Sequence, residues 1–409
     1  MTPRVERHDW CLFLIRVCAL QVVDATKKAL SDSNTVPSDF KRVIIASSTG
    51  FLAPGLEAVL VERMGFSRDA HMSFLGFMGC AAGVSGIRVC TEFCTSNPGE
   101  KALVIAIDLA SPHASFGGGI NEAVLHAIFA DGCAAIVLEG VRRRDVKAGQ
   151  VTIDAHFSHL FEGTLDGITL KIHQKGVTCI LSKYLPAYIK KGLAPIVMGF
   201  LKSCGLAHED VDHWIVHPGG TRIIEACQAS LALPESELVY SWEVLRDHGN
   251  MLGPCVLFVL QKFMEEARTA LERGDTTTTT GLCFSFAPGV RVEGLLLKFN
   301  GKDASDETAA PAVSDSATTV AAATAVAPAW STVVAPTALA AYFAVSSGSR
   351  VNSLNAGLAV ASVAALSMLT NMALQPKKKA SGKANKPWLA AGLAAFGVAG
   401  AVVAGMSRR

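Results

Sequence analysis

Cys80 stands at a junction where a thiol would act as a nucleophile. It lies in FLGFMGCAAGVSG, after an apolar, strand-like run and before a helical pattern that opens with the small residues Ala81, Ala82 and Gly83. Unpaired N–H groups and the helix dipole at such a helix start favour thiolate over thiol. The pattern predicts a catalytic cysteine with room for an acyl group. The motif alone leaves open a small buried core cysteine.

Two later polar residues extend this chemistry. His217 ends the apolar run of WIVHPGG, and the turn through Gly219 and Gly220 permits close approach of a ligand to the backbone. Asn250 lies in HGNMLGPCVLF, where we expect it to be the N-cap of a long helix. Taken singly, each residue is explained as well by a structural role. Together with Cys80 they form a Cys/His/Asn set typical of nucleophilic catalysis.

Alternating strands and helices must position these residues. The strand-like runs are RVIIASS, ALVIAID, CAAIVLEG and HWIVHPGG. Helical patterns lie between them, and the last one has Pro254 in its first turn and Gly274 after its end. The N-terminal run DWCLFLIRVCAL is interrupted by Arg16 and no small-residue cleavage site follows, so an amphipathic helix through VVDATKKAL is favoured over a signal peptide. This alternation predicts a layered α/β domain over residues 1–300.

Composition excludes several classes of protein. The net charge is +2 and aromatic residues make up 7% of the 409 residues, without the basic stripe of a nucleic-acid binder. The 11 cysteines include no C-x-x-C pair, which argues against a disulfide framework or a zinc ribbon and favours a reducing compartment. Cys90 and Cys94 are expected to be buried, not metal ligands. We expect no metal and no redox cofactor.

The sequence changes character near residue 300. Residues 301–327 have the acidic, low-complexity composition of a linker, and residues 328–409 are rich in Ala, Val and Gly. Three uncharged stretches, 328–347, 354–374 and 388–406, have about the length of a membrane-spanning helix. The five lysines between the last two favour the cytosolic side, and three spans would place residues 1–300 there as well. Ala-rich disorder and surface helices are the alternatives.

The three motifs GFMGCAAG, WIVHPGG and HGNMLGPCVLFVL resemble, in order and context, the catalytic signatures of type III polyketide synthases of the chalcone synthase kind. Further matches are SSTGFLAPG, IFADGCAA, LDGITLKIHQKGVTCILSKYLP and FSFAPGVRVEGLLL, so the resemblance covers about residues 20–300. It implies a thiolase-like α/β/α/β/α fold with halves at 1–140 and 141–300, and a homodimer. The implied substrates are an acyl-CoA starter and malonyl-CoA.

The resemblance also implies a role for each catalytic residue. Cys80 would accept the starter acyl group as a thioester and would pair with His217 as thiolate and imidazolium. His217 and Asn250 would then donate hydrogen bonds to the malonyl thioester oxygen. Those bonds stabilise the enolate that forms as carbon dioxide leaves. The enolate would attack the acyl group on Cys80 and lengthen it by two carbons.

The same resemblance assigns residues to the substrate cavity. Phe129 matches an aromatic gatekeeper, and Cys179 stands at a second gatekeeper position, where loss of a ring should widen the entrance. The remaining assigned positions are Ser48, Thr49, Val177, Leu252, Phe286, Gly219 and Gly220.

Departures from the family pattern keep other interpretations open. Family members usually have more sequence before the nucleophile, including a first strand and basic residues for the CoA phosphates. A shortened N-terminus is therefore expected here. The rivals are a ketoacyl synthase of the same fold and a membrane protein with an impaired thiolase-like domain, although FAPGVRVEG and HGNM favour the polyketide branch. A papain-like protease lacks support, because no Trp flanks Cys80.

Overall fold

The apolar runs expected to be strands are strands in the structure, and the periodic segments between them are helices. The computed structural model describes residues 7–50, 52–113, 120–173, 176–275, 277–301 and 316–326. The helices are α1 (Arg7–Ser33), α2 (Leu56–Met64), α3 (Ala82–Ser96), α4 (Ile120–Ile128), α5 (Leu185–Ser203), α6 (Thr221–Leu231), α7 (Val239–His248) and α8 (Cys255–Glu272). The strands are β1 (Phe40–Ser47), β2 (His71–Gly76), β3 (Lys101–Asp108), β4 (Gly132–Arg142), β5 (Val151–Leu160), β6 (Ile168–His173), β7 (Gly176–Leu181), β8 (His213–Val216), β9 (Thr279–Ala287), β10 (Arg291–Phe299) and β11 (Ser316–Val326).

Two halves with the same pairing pattern build the sheet. The strand order is β2-β1-β3-β4-β11-β5-β10-β9-β8, while β6 and β7 form a separate hairpin. In the first half β1 is parallel to β3, which is antiparallel to β4, which is antiparallel to β11. In the second half β8 is parallel to β9, which is antiparallel to β10, which is antiparallel to β5. The central strands β11 and β5 pair with each other and join the halves.

The strands bury both faces, which explains their continuous apolar sequences. In the first half Ile44 and Val104 face the cluster built around α3 and α8, whereas their neighbours Val43 and Leu103 face α1 and α2. In the second half the outer face packs against α5 and α6. Helices α3 and α8 therefore lie between the two half-sheets. This confirms the predicted α/β/α/β/α layering.

Glycines bring the starts of α3 and α8 together. A Cβ on Gly83 would lie 2.7 Å from the carbonyl oxygen of Gly253, and one on Gly253 would lie 2.8 Å from the Cβ of Ala82. Such distances exclude side chains at both positions, so the two backbones approach more closely than ordinary helix packing allows. The segments that carry Cys80 and Asn250 meet as a result.

Part of the predicted linker is a strand. Residues 316–326, inside the 301–327 stretch assigned to low-complexity linker, form β11 in the centre of the sheet. The physical reason is that its Thr and Val residues suit a pleated strand and two neighbours offer backbone partners.

The predicted membrane region, 328–409, lies outside the described residues together with its three candidate spans. Among the residues that the structure does describe, no helix is both long and apolar enough to cross a bilayer.

Candidate active site

Cys80 sits in a 3₁₀ turn, Gly79–Ala81, that leads directly into α3. Gly79 has φ +55°, and a Cβ there would lie 2.9 Å from the ring of Pro288, so glycine is needed for both conformation and space. Its N–H donates to Ser48 Oγ at 2.9 Å. The Cys80 carbonyl accepts a 2.7 Å hydrogen bond from Ser285 Oγ. Cys80 thus lies just before a helix, as the motif predicts, in a turn that is fixed on both sides of the thiol.

His217 follows β8 directly, as predicted. Its N–H donates to the Phe284 carbonyl at 3.0 Å, and its own carbonyl accepts a 3.0 Å bond from Gly219. The side chain is 1% exposed, and neither ring nitrogen has a hydrogen-bond partner among the described residues. Burial lowers the pKa of the imidazole to about 3. A neutral ring with a free donor and a free acceptor therefore faces the site.

Asn250 is held in a turn by its backbone and by its side chain. Its N–H donates to Ile128 at 2.8 Å and its carbonyl accepts from Ala130 at 2.9 Å. Its Oδ1 accepts the Leu252 N–H at 2.8 Å, and its Nδ2 donates to the Gly219 carbonyl at 3.1 Å. This last bond links the Asn250 turn to the His217 turn and fixes which way the amide points.

The prediction that Asn250 caps the long helix is wrong. Helix α8 begins at Cys255 with Pro254 at its N-cap. The capping capacity of the amide oxygen is used by Leu252, which has the unusual φ of +60°. The Asn250 side chain therefore orders the turn before the helix instead of the helix itself.

One cavity receives all three predicted catalytic side chains. Cys80, His217 and Asn250 all line it. The Cys80 Sγ lies 3.9 Å from Asn250 Nδ2 and 4.0 Å from Oδ1. The Cys80 thiol therefore has the Asn250 amide as its hydrogen-bond partner. His217 lines the same cavity, but the described contacts include no hydrogen bond between its ring and the thiol.

Burial controls the protonation of the thiol. It raises the Cys80 pKa well above the usual range, nearby Cys179 and Cys255 raise it further, and the Asn250 hydrogen bond lowers it. Because burial also lowers the His217 pKa, both effects favour a neutral thiol beside a neutral imidazole. The thiolate–imidazolium pair that the resemblance implies stays a prediction, and burial of both groups acts against it.

Asp108 is a site residue that the sequence did not single out. Its Oδ1 accepts hydrogen bonds from the Ser48 N–H at 2.7 Å, the Thr49 hydroxyl at 3.0 Å and the Ser47 hydroxyl at 3.4 Å. Its Oδ2 accepts the Gly253 N–H at 3.1 Å. Burial raises its pKa to about 7, and these four donors oppose the shift.

This carboxyl group connects the two sides of the site. Ser48 holds the turn before Cys80, and Gly253 follows the Asn250 turn, so one buried group anchors both. The only signal in the sequence is a single acidic residue at the end of an apolar strand. Such a residue is more often an ordinary strand end.

The cavity walls agree in part with the predicted pocket. Phe129, Cys179, Leu252, Phe286 and Gly219 line the cavity. The other predicted pocket residues, Ser48, Thr49, Val177 and Gly220, are not among its lining residues. Ser48 and Thr49 bind Asp108, the Val177 N–H donates to His113, and Gly220 is the N-cap of α6. The structure gives these four positions contacts around the cavity, and their role in substrate binding stays a prediction.

The structure adds an apolar wall that the sequence analysis missed. Its members come from the β6–β7 hairpin and helices α5 and α6: Ile168, Leu170, Leu181, Leu185, Ile189 and Ile223. Leu170 is paired with Cys179 across the hairpin, and Ile168 with Leu181. Period-two spacing in the hairpin is the signal that would have placed these side chains on one face.

Two family matches cover the described domain. Residues 134–300 match the C-terminal domain of chalcone and stilbene synthases, and residues 17–154 match the FAE1/type III polyketide synthase-like family. The alpha-pyrone synthesis polyketide synthase-like Pks18 of Mycobacterium tuberculosis is 38% identical over 295 residues, which are 72% of this chain and 74% of that protein. The chain belongs to the type III polyketide synthase family.

Solved structures agree with this assignment. PKS-I from the brown alga Ectocarpus siliculosus is 44% identical, with a TM-score of 0.70 over 71% of this chain and 77% of its own. The 1,3,6,8-tetrahydroxynaphthalene synthase of Streptomyces coelicolor is 28% identical, with a TM-score of 0.63 over 71% and 80%. This type III polyketide synthase is an acyltransferase that condenses malonyl-CoA units onto a starter, the general reaction of the family. The polyketide interpretation is confirmed over the ketoacyl synthase alternative.

Proposed function

We propose that Cys80 carries the growing acyl chain. Its sulfur attacks the carbonyl carbon of the acyl-CoA starter, the bond to the CoA sulfur breaks, and an acyl thioester forms on Cys80. The thiol proton passes to His217 and from there to the departing CoA thiolate. Burial disfavours the charged forms of both groups, so we expect this proton transfer to accompany the attack.

Decarboxylation uses the other two groups. The Asn250 amide and the His217 N–H donate to the malonyl thioester oxygen while carbon dioxide leaves and its bonding electrons form an enolate. The enolate carbon attacks the acyl carbonyl on Cys80, forms the new carbon–carbon bond and expels the Cys80 thiolate. The product is a CoA thioester two carbons longer.

The observation that carries this proposal is the convergence of three side chains, distant in sequence, on one apolar cavity. Intact-mass analysis after incubation with a starter acyl-CoA tests it. We expect an acyl adduct in the full chain that is absent in Cys80→Ala, while Cys80→Ala still decarboxylates malonyl-CoA. Asn250→Ala should keep the adduct and lose decarboxylation.

A matched control is available in the same cavity. Cys179 also lines it, so Cys179→Ala should retain the adduct and full decarboxylation. An adduct that persists in Cys80→Ala and disappears in Cys179→Ala would reassign the nucleophile.

The cavity walls favour an aliphatic starter. The added wall consists of Ile and Leu side chains, and Cys179 stands where an aromatic ring was expected to narrow the entrance. An acyl chain that buries its methylenes there gains about 0.8 kcal/mol for each one. A panel of alkanoyl-CoA starters of increasing length should therefore give rising kcat/KM, with hydroxylated aromatic starters far lower. Since Pks18 is named for alpha-pyrone synthesis, pyrones are the first products to seek.

The exposed edge of the sheet at β2 is an argument for a homodimer. Within the described part of the chain strand β2 pairs with β1 alone, and its Phe74 is 47% exposed. An apolar side chain beside an open strand edge is a surface that proteins usually cover. Sedimentation of the full chain should give twice the monomer mass.

Membrane attachment remains a proposal that rests on the composition of residues 328–409. We expect the full chain to stay with membranes in carbonate and to require detergent for release. Protease added outside sealed vesicles should reach the catalytic domain only if it faces the cytosol. Release by carbonate would refute the anchor and leave the acyltransferase assignment intact.

A further inference from the structure

Strand β11 fills the central position of the sheet. Its ladder with β4 runs from Ser316 opposite Arg142 to Val326 opposite Cys133, with one irregularity after Val320. On its other side Thr318, Thr319 and Val320 pair with β5. The strand therefore supplies hydrogen-bond partners to two neighbours, and without it both would expose backbone groups in the middle of the protein.

Strand β5 of the second half occupies the position equivalent to β11, but the two strands differ in their order along the chain. β11 is bonded to β4 as β5 is bonded to β10, so the two strands occupy equivalent positions in the two halves. Strand β5 precedes the first large helix of its half, α5, whereas β11 follows β10, the last strand of the other half. The first half thus receives its central strand from a segment that is continuous with the second.

The inserted strand contacts the helix that carries Cys80. Residues Ala317, Thr318, Thr319 and Val320 are all buried. The Thr318 hydroxyl lies 3.2 Å from the Thr95 hydroxyl and 3.3 Å from the Thr91 carbonyl, both on α3. Val320 belongs to the same apolar cluster as Val84 and Ile87 of that helix.

The segment that precedes β11 is long enough to connect it with the end of β10. Residues 302–315 are polar and acidic, and this stretch of 14 residues reaches up to about 46 Å when extended. The strand itself, SATTVAAATAV, contains only small and β-branched residues. The described side chains among them, at positions 317–320, are buried between the two strands and α3.

We propose that residues 316–326 are a self-donated strand that inserts between β4 and β5, and that acyl transfer depends on this insertion because it seats α3. The occupant is the segment of the same chain. The site therefore accepts an extended Ala/Thr/Val peptide by strand addition, in the way that sheet edges bind peptides.

Register-specific crosslinking in the full chain tests the insertion. Val326 lies opposite the natural Cys133, and opposed residues of antiparallel strands have Cα atoms about 4.5–5.5 Å apart, within the range of a disulfide. Val326→Cys should therefore crosslink to Cys133 under mild oxidation, within one chain. Ala325→Cys is the matched control, because successive strand positions face opposite sides and position 325 lies opposite Ala134.

Three outcomes would overturn the proposal. Equal crosslinking of Cys133 in the Val326→Cys and Ala325→Cys chains would refute the register. A disulfide that joins two chains would refute donation within one chain. No link in either variant would refute insertion.

A proline substitution tests the dependence of activity. Val320→Pro removes a buried N–H from the strand, and Ala309→Pro places the same change in the acidic stretch. We expect Val320→Pro to lose at least tenfold in kcat and to lose hydrogen-exchange protection in β4 and the start of β5, with β9 and β10 still protected. Ala309→Pro should match the parent. Equal activity and equal protection of β4 in both variants would overturn the proposal.

If Val320→Pro prevents folding, the milder variant Thr318→Val still allows activity and hydrogen exchange to be measured on a folded chain. It removes the hydroxyl contacts to α3 but leaves the strand in place. We expect unchanged protection of β4 with a two- to fivefold loss in kcat. An unchanged kcat would refute the coupling to α3. The crosslink and exchange measurements need no acyltransferase activity, so they separate this proposal from the proposed roles of the catalytic residues.

Discussion

Asp108 should impose a pH dependence on stability that Asp108→Asn removes. Burial raises the pKa of this carboxyl group from 3.8 to about 7. The folded chain therefore keeps a proton that the unfolded chain releases over this interval. The Asp108 contribution to the free energy of unfolding is complete below about pH 4 and is lost as the pH rises to about 7. At 1.36 kcal/mol for each pH unit, the loss is at most about 4 kcal/mol.

Urea unfolding of both chains measures this difference. Intrinsic tryptophan fluorescence, to which the buried Trp214 contributes, reports the transition. Unfolding free energies at several pH values between 4.5 and 8 should show the parent losing stability relative to Asp108→Asn as the pH rises. Other titrating groups are common to both chains and cancel. Parallel curves would refute the argument that Asp108 titrates in the folded state.

Asp108→Leu separates titration from positioning. Leucine leaves the buried N–H groups of Ser48 and Gly253 without an acceptor, at about 1–3 kcal/mol each. We expect a chain destabilised by about 2–6 kcal/mol and a fall in kcat larger than the change in KM, because both catalytic turns lose their anchor. Asp108→Asn keeps one acceptor oxygen and should recover part of kcat at every pH. Equal kcat in both variants would contradict a positioning role.

Three further changes test the cavity, the sheet edge and the helix crossing. Cys179→Phe should narrow the cavity and lower kcat/KM for long alkanoyl starters by at least tenfold while short starters are affected little, as a starter panel would measure. Phe74→Arg should shift the full chain toward the monomer in sedimentation, because a charge would be buried in the dimer. Gly83→Ala should cost about 1–3 kcal/mol in urea unfolding and should lower kcat, because its Cβ would lie 2.7 Å from a backbone oxygen.

Each of these has a control in the same chain. Cys204→Phe changes a half-buried cysteine that does not line the cavity, and Val239→Arg changes an exposed residue on α7. Gly199→Ala places a methyl group on α5 where nothing lies within 4 Å, so it should be neutral or stabilising. Effects of the same size in a variant and its control would remove the corresponding structural explanation.

The local structure around Cys80 and His217 could be predicted from the sequence because each residue lies where one secondary-structure element ends or the next begins. A strand run followed by small residues at a helix start, or by a Pro-Gly-Gly turn, specifies backbone direction from neighbours alone. The convergence of these residues was predictable only through the family resemblance. The contacts that bring them together are two glycine positions and one buried carboxyl group, and none has a pattern that extends over several residues.

Other features depended on contacts between distant segments. The N-cap role expected for Asn250 was wrong because Pro254 and Cys255, four and five residues later, set where α8 begins. The 316–326 segment looks like linker, since Ala and Thr are common in both, and only the open position between β4 and β5 selects a strand. The rise of the Cys80 pKa comes from the depth of its burial, which its sequence neighbours do not show.

The repeated pairing pattern places the thiol and the amide at corresponding positions of the two halves. Along the chain, α3 comes between the paired strands β1 and β3, and α8 comes between the paired strands β8 and β9. The thiol and the amide each come just before one of these two helices. The cavity between the halves therefore receives Cys80 from the first half and Asn250 from the second. A substitution at one of these positions can change the chemistry of one half without changing the backbone of the other, which is how two similar halves can carry different catalytic groups.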